Sequence, residues 1–200
     1  METKVIILSL RFWWFYLVYK GIKTIEIRKT YPKNFRGIVF VYVSKTNWKK
    51  DLMKIPENER EFFKQFVGKV GLKFTLNTVG MNHNFINGWE ETSLFNRHLT
   101  INDEEELLTK SCLTLNEFNN YSKEERCYAW HVDNLVIFDT PKEIGEFKPV
   151  KWDKCGVKDK NGLYQCVKCP YGRNWLEGCK YKPLTKAPQS WCYALPVCQE

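Results

Sequence analysis

The sequence has no cysteine before Cys112. A disulfide-stapled secreted domain spreads its cysteines along the chain, so that class is set aside. A long hydrophobic run is also missing. Residues 5–19 are apolar apart from Ser9 and Arg11, whereas about 20 uninterrupted apolar residues are needed to cross a bilayer. No small-residue cleavage site follows, since Val18, Tyr19 and Lys20 are bulky, and the run does not read as a secretory signal. We expect a soluble, cytoplasmic protein with no membrane partner. The sequence holds no Gly-x-x-x-x-Gly-Lys loop, no Gly-x-Ser-x-Gly elbow and no His-Glu-x-x-His helix, which disfavours P-loop, α/β-hydrolase and zincin chemistry. It has neither an internal repeat nor a low-complexity tract.

What remains is an ordinary globular composition, with 44% hydrophobic and 27% charged residues in a chain of 200, a one-domain length. Aromatics reach 16%, with eight Trp, which points to a rigid core or to flat surfaces that stack. Charge comes in blocks. Residues 20–50 carry nine Lys or Arg against one acid, and residues 148–186 carry ten against three. Between them, residues 101–147 carry four against eleven. Two basic blocks rich in Trp and Tyr make nucleic acid the leading partner class, against the plain reading of solvated surface.

Periodicity predicts a strand over 4–10, then a helix over 10–19 capped by Ser9 and ended by Gly21. Residues 23–30 alternate, with Ile25 and Ile27 on one side and Thr24, Glu26 and Arg28 on the other. Further strands are predicted over 37–44, 68–79, 128–138 and 190–195, and helices over 56–67, 103–110 and 115–121. Residues 80–88 read as an exposed turn. This order suggests an α+β fold, a small, mostly antiparallel β-barrel with helices at its rim. The chain reads as one domain, 1–200, with a Cys-rich insertion over 148–184.

The segment Gly21-Ile22-Lys23-Thr24-Ile25-Glu26-Ile27-Arg28 resembles the signature of the ASCH domain family, a PUA-like β-barrel, which runs Gly-x-Lys-x-x-Glu-x-Arg at this place. Leu8-Ser9-Leu10 and Gly68-Lys69-Val70 are similar too. Trp130-His131-Val132-Asp133-Asn134-Leu135 and Ala187-Pro188-Gln189-Ser190-Trp191-Cys192-Tyr193 resemble segments of ASCH proteins carried by phages and prophages. The resemblance spans 4–147 and 185–195. It implies a protein that binds or acts on RNA or nucleotides, in the host cytoplasm if phage-encoded. Some members resemble N4-acetylcytidine amidohydrolases, and others are metal-dependent ribonucleases. The Lys of the amidohydrolase site is Lys23 here; its Thr falls at Glu26, where this sequence departs from the pattern.

Alternation aims Glu26 and Arg28 at one spot, near Lys23. An ammonium beside a guanidinium is pushed towards the neutral amine, a form that acts as base or nucleophile. Kept charged, Lys23 and Arg28 hold a phosphate instead, with Glu26 reading a base edge or accepting a proton. Lys23 and Glu26 are the candidate catalytic residues; Arg28, Ser9, Trp13, Lys29 and Trp191 are the candidate nucleotide contacts. The bland alternative is an exposed strand of alternating charge. Trp13, Trp14 and Phe15 are consecutive on a helix and cannot all face the core, although plugging one end of the barrel would occupy most of them. His131 reads as a core or rim histidine, and His83 and His98 carry no supporting pattern.

Six cysteines fall in the last 46 residues. Cys166-Val167-Lys168-Cys169 has zinc-knuckle spacing, and Cys155 and Cys179 flank it, enough for four thiolates around a structural zinc. Free thiols in a loop are the alternative. Cys192 or Cys198 could replace a flanking ligand, while Cys112 and Cys127 read as small buried hydrophobes. Three functions stay open: an RNA- or nucleotide-binding protein with a basic cleft around Lys23, Glu26 and Arg28; an enzyme in the same cleft, ribonuclease or amidohydrolase; and a phage protein that blocks a host protein.

Overall fold

The apolar run at residues 5–10 is the central strand of the molecule, paired on both sides and buried along its whole length. A strand covered on both faces reads as a continuous hydrophobic run instead of an alternation. The computed structural model describes residues 4–33, 35–82, 89–93, 98–101, 104–123, 125, 127–149, 156–158, 164–166 and 184–196. In chain order these form β1 (Val5–Leu10), α1 (Phe12–Tyr19), β2 (Ile25–Arg28), β3 (Gly37–Val43), α2 (Trp48–Leu52), α3 (Glu57–Lys64) and β4 (Val70–Leu76). Three more strands follow, β5 (Thr78–Asn82), β6 (Trp89–Ser93) and β7 (His98–Ile101), then α4 (Glu104–Ser111) and α5 (Leu115–Ser122). Next come β8 (Tyr128–His131), β9 (Asp133–Lys142), a 3-10 turn at Ile144–Glu146 and β10 (Phe147–Pro149). β11 (Gly156–Lys158) and β12 (Tyr164–Cys166) pair with each other in the Cys-rich segment, and β13 (Trp191–Pro196) is last.

The fold is mixed α+β. A six-stranded sheet has the order β10-β13-β1-β3-β4-β9, and a five-stranded sheet has the order β2-β8-β5-β6-β7. Among the described residues all pairings are antiparallel except β1 with β3, which run parallel because the chain between them crosses over through α1 and β2. The ladder does not close into one continuous barrel among the described residues. Instead, among the described residues, the chain passes between these two sheets four times, from β1 to β2, from β2 to β3, from β4 to β5 and from β8 to β9.

The main core gathers Ile6, Leu8, Val39, Val41, Leu72 and Phe74 from the six-stranded sheet and Val79 and Trp130 from the other. α1 supplies Phe12 and Phe15, and the region around α3 supplies Phe63 and Phe66. Because α1 is apolar all round, it is buried on several sides. Its Tyr16 meets the Phe63 ring edge-on at 4.9 Å. A second cluster joins Ile25 and Ile27 of β2 to Leu107 of α4 and Phe118 of α5. This cluster fixes the outward face of β2 under the two acidic helices and turns Glu26 and Arg28 inward.

Several expectations are corrected. Ser9 does not cap α1. It continues β1 opposite Tyr42 of β3, and α1 begins after Arg11 with no side-chain cap. The predicted turn over 80–88 begins as strand, since Gly80, Met81 and Asn82 pair with β6. The single strand predicted over 128–138 is two strands. The break falls where the Val132 amide donates to the Thr24 carbonyl and Asn134 takes a left-handed φ of 48°. A period of two is the same in both sheets and cannot register a change of partner. No helix of the described residues is long and apolar enough to cross a membrane.

Candidate nucleic-acid interface

The site begins at the end of α1. Gly21 adopts φ +70°, a conformation that favours glycine. Its amide donates to Val18 O at 2.9 Å and the Ile22 amide to Leu17 O at 2.9 Å, a Schellman closure. The Lys23 amide also donates to Leu17 O, at 3.1 Å. This tight reversal leaves Ile22 exposed and carries the Lys23 side chain inward, where only 2% of the residue stays accessible. Lys23 Nζ donates to the Ser111 carbonyl at 2.6 Å, lies 3.2 Å from Glu26 Oε2 and stands 5.1 Å from the centre of the Trp14 ring. One backbone bond ties the same two segments, from the Thr24 amide to Lys110 O at 2.9 Å.

β2 then alternates as its sequence implies. Glu26 lies opposite Trp130 and Arg28 opposite Tyr128 on β8. Arg28 Nε is 2.9 Å from Glu26 Oε1, so one buried carboxylate serves two cations. The guanidinium also donates through Nη2 to the Ser9 carbonyl at 2.6 Å and through Nη1 to Ser190 Oγ at 3.3 Å. The three charged side chains thus share one face, and two of them, Lys23 and Glu26, are buried instead of lining an open cleft. Arg28 is the one that reaches outward, with 12% of its side chain accessible.

The remaining sequence candidates divide. Ser9 is buried, and its Oγ donates to Pro188 O at 2.6 Å while its amide donates to Ser190 O. Trp191 is half-buried, donates from Nε1 to Thr30 Oγ1 at 3.0 Å and meets Trp130 edgewise. Lys29 points to the surface and pairs with Glu125 at 2.8 Å. Trp13 stacks on Tyr16 with Lys54 Nζ 5.5 Å from its ring centre, so Trp14, not Trp13, is the tryptophan beside Lys23. Cys155, Cys169 and Cys179 lie outside the described residues, and only the backbone of Cys166 lies within them.

Sequence reasoning did not single out Ser111, Tyr31, Tyr128 or Tyr121. Ser111 is an acceptor only through its backbone, which no side-chain pattern reveals. Tyr31 and Tyr128 face each other with ring centres 4.4 Å apart. Tyr121, on α5, is pushed to a higher pKa by burial, an effect that the nearby Arg28 charge opposes. Cys112 follows Ser111 with φ 55°; burial holds its thiol pKa above the usual value, against a smaller opposing pull from the Lys23 charge. Trp130 is fully buried, and its Nε1 has no hydrogen-bond partner among the described residues.

No family model matches the sequence, and no curated protein sequence matches it. Among solved structures, the chain is similar to ZmASCH from Zymomonas mobilis, seen as two mutant proteins. One alignment has 12% identity and a TM-score of 0.39 and covers 70% of this chain and 73% of that one. The other has the same identity and TM-score and covers 68% and 70%.

Proposed function

We propose that this protein binds RNA or a nucleotide, with Arg28 as the outer cation of the cleft and Lys23 and Glu26 as its inner support. One observation carries the reading. Two cations share a single carboxylate in a site largely closed to water, so these three side chains keep one uncompensated positive charge. Charges withdrawn from water are costly unless paired, and a phosphate oxygen on the outer edge of Arg28 supplies the missing negative charge. Lys29 and Lys33 follow within five residues, in the basic 20–50 block. The motif resemblance to the ASCH family supports the same ligand class.

The test is filter binding of labelled RNA and of a mononucleotide across a salt series. Affinity should fall steeply with salt as counterions are displaced. Arg28→Ala, and the paired reversal Lys29→Glu with Lys33→Glu, should each weaken it. Binding that ignores salt and both changes rejects the reading. A second reading, hydrolysis in the same cleft, is supported by the motif resemblance, which puts Lys23 at the amidohydrolase lysine. Turnover of RNA or N4-acetylcytidine that Lys23→Ala abolishes without unfolding would support it; tight binding with no turnover supports the binding protein. The Cys-rich segment adds a proposed structural zinc on Cys155, Cys166, Cys169 and Cys179, supported by their spacing.

A further inference from the structure

We infer that two copies of this chain associate about a two-fold axis, Met53 of each protomer entering the apolar pocket at the α4–α5 junction of its partner. That pocket is a cavity of about 570 Å³ walled by Leu108, Cys112, Leu113 and Leu115. Its size and apolar lining suit a hydrophobic anchor. Met53 follows α2 and is 63% accessible, more than any other large hydrophobic among the described residues. A methionine side chain is unbranched and polarisable, and it fills irregular apolar space well. Leu115, at the pocket, is itself 47% accessible.

Anchor and pocket lie on one side of the molecule. Lys54, next to Met53, has Nζ 5.5 Å from the centre of the Trp13 ring. The Thr114 amide is the main cause that lowers the Glu117 pKa, and the Lys54 charge adds to it across the gap between α2 and α5. Trp14, the next residue on α1, stands beside Lys23, which donates to the Ser111 carbonyl next to Cys112. An anchor and a pocket that share one face are self-complementary under a two-fold rotation. One axis then fills both pockets and closes the assembly as a dimer.

Charge matches in the same way. Residues 45–54 carry four lysines against one acid, and that acid, Asp51, is buried and paired with Arg11. Lys49, Lys50 and Lys54 around Met53 are exposed. Residues 103–117 carry five acids against one lysine, and Glu105, Glu106 and Glu117 are exposed in the opening turns of α4 and α5. The two-fold that seats Met53 brings lysines to glutamates twice over, and such complementarity fixes orientation more than it adds affinity. Both members of the pair are on this chain, which favours a second copy over a foreign basic segment.

Sedimentation equilibrium of the full chain over a concentration series tests the inference. The mass should rise with concentration from 23.9 kDa to twice that value. Met53→Glu and Leu115→Glu should each weaken association roughly ten-fold or more, since each removes an apolar contact at the centre of the interface. All the substituted side chains are exposed, and circular dichroism checks that the variants fold. A chain with Lys49→Glu and Lys50→Glu, and another with Glu105→Lys and Glu106→Lys, should each be monomeric alone and should dimerise when mixed. The mass of the unsubstituted chain needs no variant. A monomer at every concentration overturns the inference, as does a dimer that survives both Met53→Glu and the charge reversals. A monomer that still binds a labelled peptide of lysine and leucine would give the pocket to a foreign protein, and that too overturns the second-copy assignment.

Discussion

Arg28 Nη2 donates to the main-chain carbonyl of Ser9 at 2.6 Å, which ties β2 to the end of the central strand. The acceptor is backbone, so no side chain at position 9 is needed for it. Nη1 donates to Ser190 Oγ, and Nε stands 2.9 Å from Glu26 Oε1 as an ion pair without an aligned hydrogen bond. A planar guanidinium reaches all three groups at once; the point charge of a lysine does not.

Glu26 is the hinge of this arrangement. Glu26→Ala should leave Lys23 and Arg28 facing each other without a carboxylate between them and lower stability by about 3–5 kcal/mol. Urea denaturation measures the loss. An unchanged midpoint would mean that the two cations find other partners.

Two glycines should behave differently. Gly21 has open space where a Cβ would sit, so Gly21→Ala meets only the cost of its left-handed backbone, about 1–2 kcal/mol. At Gly71 a Cβ would stand 2.6 Å from both Phe15 Cζ and Phe66 Cδ1, with those rings packed in the core. Gly71→Ala should therefore be the more damaging of the two, as thermal melts of both variants will show.

Burial pushes the Cys127 thiol up to about 11 from the usual 9.0, against a smaller opposing pull from the Lys29 charge. The folded pKa lies above the unfolded one, so the buried neutral thiol contributes its full stability below about pH 9 and loses it as pH rises towards 11. Urea midpoints taken from pH 8 upwards should fall less steeply in Cys127→Ala than in the parent chain. Parallel curves would count against a buried neutral thiol.

For the Cys-rich segment, protein purified without chelator should contain one zinc, with sulfurs about 2.3 Å from the ion by X-ray absorption. Cys166→Ser should loosen residues 148–184 to proteolysis while leaving the two sheets folded. Elemental analysis without zinc, or a spectrum without sulfur neighbours, would retire the site.

Local chemistry made much of this legible. Gly21 after an apolar run marks the left-handed helix end, and the Ile-Glu-Ile-Arg alternation sorts β2 into a face under the acidic helices and a face carrying charge. What stayed hidden depends on distant partners. Ser9 is followed by a helix and looks like its cap, yet the pull of β3 keeps it in the sheet. Residues 128–138 keep one rhythm while changing sheets at Val132. The burial of Lys23 comes from the Ser111 carbonyl, at the end of a helix 88 residues away. Lys23 therefore looks from sequence like a group facing a cleft, although its ammonium is spent inside the protein.

Everything between the parallel strands β1 and β3 is a single crossover connection, and the three charged residues ride on it. In engineering terms residues 11–36 are a cassette, bounded at its entry by the Leu10 carbonyl that receives the Ser44 amide. Moved to another scaffold, this cassette would bring its own carboxylate and both cations but not the two carbonyl sockets, at Ser9 and Ser111, that orient them. A graft has to match those sockets before it matches any side chain.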